Sequence, residues 1–150
     1  MKIALITPAG VRSRSGNRHT ATRWAAMLRS LGHRVRISTR WDSRAADAMI
    51  ALHARRSAQS IAAFRERAAG RGMAVVLTGT DLYKDLPAPS EDVGRSLDLA
   101  DRIVVLQEDA PHLLESRWRR KSEVIFQSAR PLARRRTRVR RLGHPAEVTL

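Results

Sequence analysis

Short, almost wholly apolar runs alternate with longer amphipathic stretches, and this alternation constrains the chain more than any other feature. The runs fall at residues 2–7, 49–52, 73–77, 103–106 and 123–126, and a short second strand is read at residues 34–38. Each is too short for a buried helix and rich in aliphatic or β-branched side chains, as buried strands are. Between the first two runs, Trp24, Met27, Leu28 and Leu31 recur at helical spacing, and Gly32 stands where a helix-ending glycine belongs. A second helix is predicted from about Ser57, with Ile61, Phe64 and Ala68 on one face and Gly70 near its end. A short helix follows near residues 92–100, and another around residues 109–118 with Pro111 in its first turn. Strands alternating with helices imply right-handed crossovers and a parallel sheet. The expected fold is α/β, a doubly wound parallel sheet of the Rossmann-like type.

At 150 residues and 43% hydrophobic content, the chain is sized for one such domain with a real core. It contains no cysteine, which excludes disulfides and thiolate metal sites and fits a reducing compartment. The amino terminus stops being apolar at Pro8, too early for a secretory signal, and no run of roughly 18 apolar residues occurs. A cytoplasmic protein without membrane association is expected. The formal net charge is +15, of which +6 lies in residues 130–150, where seven of the twelve residues 130–141 are arginine. Residues 1–129 still carry +9, so the folded part is basic in its own right.

Doubly wound sheets place ligands at the carboxyl ends of their strands, so the residues just after each apolar run are the candidates. After the first run come Ser15, Gly16, Asn17, Arg18 and His19 at the start of the first helix. A glycine that admits close backbone approach, free helix N–H groups and an adjacent cation describe an anion cradle. The same residues also describe an ordinary helix cap, with Ser15 or Asn17 capping and the arginines solvated. After the third strand, His53 is suited to hydrogen bonding a sugar or phosphate or to proton transfer, or else is a satisfied structural histidine; Arg55 follows it. After the fourth, Thr78, Gly79, Thr80 and Asp81 form a dense polar turn. Asp81 would orient sugar hydroxyls or act as a base, or alternatively close an Asx-type turn. Gln107 and Glu108 after the fifth strand, and Gln127 and Ser128 after the sixth, are weaker candidates. His33, His112 and His144 lack partner spacing, so no metal site is proposed.

Taken in order, residues 2–8, 13–21, 23–25, 51–57, 77–83 and 105–107 closely resemble the selenosugar synthases of the selenoneine pathway, glycosyltransferases of the GT-B type. The resemblance spans about residues 1–130. It implies transfer of a sugar from a UDP-sugar donor to selenophosphate, with a carbon–selenium bond formed at the anomeric carbon. It implies no metal and no cofactor beyond the UDP-sugar as donor substrate. It also implies two Rossmann-like domains facing a cleft, the amino-terminal one supplying acceptor contacts and the other holding the nucleotide diphosphate. Catalytic roles would then fall on His53 and Asp81, and substrate contacts on Ser15, Gly16, Asn17, Arg18, His19, Arg55, Thr78, Gly79 and Thr80.

Residues 1–129 correspond to the acceptor-side domain. Residues 138–144 look like the opening strand of the second domain with arginines interrupting it, so residues 130–150 are expected to be a remnant of a missing donor domain. A competing expectation is a non-catalytic module in which the arginine tail binds nucleic acid or another polyanion without sequence choice. Against it, the arginine run has no stacking aromatics, and only 4% of the chain is aromatic.

Overall fold

The computed structural model describes residues 1–87 and 90–127. Six strands form one parallel sheet: β1 (Lys2–Ile6), β2 (Arg34–Ser38), β3 (Ala48–Leu52), β4 (Gly72–Val76), β5 (Arg102–Val105) and β6 (Ser122–Val124). Their spatial order is β2-β1-β3-β4-β5-β6. The chain turns from building leftward to building rightward between β1 and β3, so the topological switch point lies at the carboxyl ends of these two neighbours.

Side-chain alternation explains why every central strand is apolar throughout. On one face Ile3, Leu5, Leu52, Val76 and Val104 pack with Ala21 and Ala25 of α1 (Gly16–Ser30). On the other, Ile6, Met49, Ala51, Met73, Val75, Ile103 and Val105 form a larger core. Ile61 and Phe64 of α2 (Ala58–Arg67), with Val93 and Leu97 of α3 (Glu91–Leu99), close over it. Both faces of these strands leave water, which is the condition for a parallel sheet.

The first helix packs on a different stripe from the expected one. Thr20, Ala21 and Ala25 are buried and Trp24 and Leu28 partly so, whereas Met27 and Leu31 are 47% and 71% exposed. Small residues let the helix lie close to the sheet, and the large side chains then flank the contact. Gly32 ends the helix with φ +84°, the left-handed conformation a glycine adopts without strain.

The helix expected over residues 109–118 is instead a 3₁₀ turn (Ala110–Leu113) and a short α4 (Ser116–Arg119), separated by extended backbone at Leu114. The guanidinium of Arg119 donates to the carbonyls of Pro111, His112 and Leu114 and so satisfies acceptors that a continuous helix would have paired. Trp118 is buried in the core and its Nε1–H donates to Asp98 at 2.7 Å. β4 and β6 begin one residue earlier than expected. Leu77 and Ile125, just beyond the assigned strands, still donate to the carbonyls of Val104 and Val105.

Candidate functional site

The carboxyl ends of the strands gather the loops that the sequence singled out. Ser15 takes the N-cap position of α1 with extended backbone, but its side chain makes no capping hydrogen bond. Its hydroxyl accepts from Ser13 Oγ at 3.0 Å instead. The Arg18 and His19 N–H groups turn back to the Ser15 carbonyl. Those of Gly16 and Asn17 meet no acceptor among the described residues, and no acidic residue stands in the first turn. A Cβ built on Gly16 would meet nothing within 4 Å, so no packing within the domain requires glycine there.

His53 follows β3 directly, at the switch point. It is a non-glycine residue with φ +72°, a conformation that costs about 1–2 kcal/mol and is concentrated at functional positions. The side chain is 2% exposed. Nδ1 lies 3.5 Å from the Arg56 nitrogen, and Nε2 is buried with no hydrogen-bond partner among the described residues. Burial lowers the His53 pKa from the usual histidine value. The Asp81 carboxylate opposes that shift, and Arg56 adds to it.

The sign of this shift sets an expected pH dependence. Above pH 6.5, the unperturbed histidine value, the folded and unfolded chains both hold residue 53 neutral. Below it the unfolded chain takes up a proton that the folded site resists, so the contribution of His53 to stability is lost as the pH falls. Relative to a His53→Asn variant, which tolerates the left-handed backbone and does not titrate, the wild type should lose on the order of 1 kcal/mol at most between pH 7.5 and 5.5. Urea denaturation at both pH values measures it; a constant difference between the two proteins would show that His53 titrates normally.

Asp81 is completely buried and turned inward. One oxygen accepts the Ala54 N–H at 3.0 Å and the other the Thr78 N–H at 2.8 Å, so the carboxylate ties the loop after β3 to the loop after β4. Its distance to His53 Nδ1 is 3.8 Å, too long for a hydrogen bond. Asp81–Asp85 forms a π-helical turn, and its far end repeats the tie, Arg55 Nε reaching Asp85 at 3.0 Å. Gly79 has φ +121°, which admits glycine and strains other residues. Thr80 is exposed at the start of the turn.

Thr78 and Gly79 line a cleft of about 290 Å³ with Leu106, Gln107, Tyr83 and Gln127. Gln107 Nε2 donates to the Tyr83 hydroxyl at 2.7 Å, and Gln127 Nε2 to Thr20 Oγ1 at 2.6 Å, so the segment after β6 reaches the first turns of α1. Sequence reasoning ranked the two glutamines low and passed over Tyr83; their position after apolar runs was the only signal available. The polar loops after β1, β3 and β4 thus share one end of the sheet. Within it, Asp81 joins the loops after β3 and β4, while the start of α1 is joined to the cleft through Gln127.

Ser128 and the arginine-rich residues 130–150 lie outside the described residues, as does the expected start of a donor domain. Among the described residues no helix is long and apolar enough to cross a membrane. Fold and site together define a mixed α/β domain of the Rossmann-like kind, with a cleft of mixed polar and apolar lining along the carboxyl edge of a parallel sheet. No family model matches the chain, and no curated protein matches it.

Proposed function

We propose that this domain is the acceptor-side half of a GT-B-type glycosyltransferase of the selenosugar synthase kind, which moves a sugar from a UDP-sugar to selenophosphate. The observation that carries the reading is the uncapped start of α1, where the Gly16 and Asn17 N–H groups meet no acceptor among the described residues and Arg18 follows in the same turn, next to the switch point where His53 Nε2 is buried without a partner among those residues. Helix N–H groups with the positive end of the helix dipole suit a tetrahedral oxyanion. Selenophosphate is one, with a nucleophilic selenium left to attack the anomeric carbon as UDP departs. In this scheme Ser15, Gly16, Asn17, Arg18 and His19 hold the acceptor, and the catalytic role falls on His53 at the switch point. Thr78, Gly79 and Thr80 face the sugar. Asp81 acts through the loops it ties and is a positioning residue, and Arg55 braces the turn through Asp85.

Calorimetry with inorganic phosphate, standing in for selenophosphate, tests the acceptor assignment. Arg18→Ala removes a charge-assisted contact of roughly 1.5–3 kcal/mol and should weaken binding by about tenfold or more. Gly16→Val should weaken it without changing charge, because the domain itself leaves that position open. Arg12→Ala, further from the helix start, should matter less. Equal losses for Arg12→Ala and Arg18→Ala would reduce the cradle to general basicity.

A further inference from the structure

The opposite, amino-terminal end of the sheet carries a second concentration of charge. Lys2 of β1 and Arg34 of β2 are direct partners in the parallel register, followed by Ala4 opposite Arg36. Ile3, Leu5 and Val35 point toward α1, so by alternation Lys2, Arg34 and Arg36 share the other face. Like charges at paired positions repel. Among the described residues neither the Lys2 ammonium nor the Arg34 guanidinium has an acid within ion-pair distance. The two carboxylates of the neighbouring loop are already engaged: Asp42 with Arg36 and Arg44, and Asp47 with the Lys2 backbone N–H and Arg71.

A cavity of about 470 Å³ opens at this place, bounded by Lys2, Arg29, Arg34 and Arg36, with Ala45 and Ala46 leaving room along one wall. We propose that this cavity binds a small polyanion of the diphosphate class, one charged group held by the Lys2–Arg34 pair and the other reaching Arg36, which now shares Asp42, and Arg29 at the end of α1, which now donates to the Val35 carbonyl. One phosphate would leave half of these cations without a ligand oxygen. A nucleic-acid strand is disfavoured, because the site is a pocket and its one aromatic side chain, His33, is too little for a stacking platform. The inference is independent of the glycosyl-transfer reading, since the cavity lies at the other end of the strands.

The test is an NMR titration of the full chain with inorganic pyrophosphate at constant ionic strength, with orthophosphate and a single-stranded oligonucleotide as comparators. The amides of residues 33–36 and 45–47 should shift, with pyrophosphate binding at least about tenfold tighter than orthophosphate. Lys2→Gln and Arg34→Gln should each weaken pyrophosphate by about tenfold or more. Arg40→Gln removes the same charge from an exposed position beyond β2 and should change it less than about twofold. Arg34→Gln should also raise the melting temperature of the ligand-free protein by relieving the repulsion, which shows that the variant folds. Shifts spread over all basic segments, an Arg40→Gln effect equal to Arg34→Gln, or tighter binding of the oligonucleotide at these amides would overturn the proposal.

Discussion

Replacing Asp81 with alanine should destabilise the domain by about 2–4 kcal/mol, because it leaves the buried Ala54 N–H without an acceptor at about 1–3 kcal/mol and the part-buried Thr78 N–H at about 1 kcal/mol. That is a large share of the 5–15 kcal/mol typical of a folded domain. Asp81→Asn keeps one acceptor oxygen but turns an NH₂ toward the second N–H, so it should fall between wild type and alanine. Urea denaturation gives both values. Wild-type stability in the alanine variant, with an effect confined to ligand binding or turnover, would return Asp81 to the role of a base.

The second large effect concerns catalysis. If the domain is the acceptor-side half proposed above, the 150 residues alone should show no UDP release and no selenosugar by mass spectrometry when incubated with UDP-sugar and selenophosphate. Holding two reactants in attacking geometry contributes on the order of 7–11 kcal/mol to barrier lowering, and a GT-B cleft supplies that only with both walls present. Sustained turnover by this chain would contradict the two-domain reading while leaving sugar transfer itself intact.

The sheet was legible because its central strands are buried on both faces, so a run such as residues 103–106 contains nothing but aliphatic side chains. Other features depended on tertiary partners that no local pattern reveals. The stripe of α1 was misjudged because Ala21 and Ala25 face the sheet, and alanine carries little hydrophobic signal beside Met27 and Leu31. The break after Leu113 is held by Arg119, whose side chain reaches back to three carbonyls. In the site, the positions of Ser15–His19 and His53 followed from strand ends. The inward turn of Asp81 did not, because its two donors come from loops 27 residues apart and three residues apart in sequence. Gln127 meets Thr20 across 107 residues, a contact invisible in either segment alone.

The central claim is that the start of α1 is an oxyanion site, and amide chemical shifts during a phosphate titration test it most directly. The Gly16 and Asn17 amides meet no acceptor among the described residues and should move furthest. Residues 15–20 should respond together, and the Arg18→Ala variant should reach the same shifts only at about tenfold higher phosphate or more. Amides 15–20 that stay in place, or that respond identically with and without Arg18, would contradict the account and leave α1 with an ordinary solvated start.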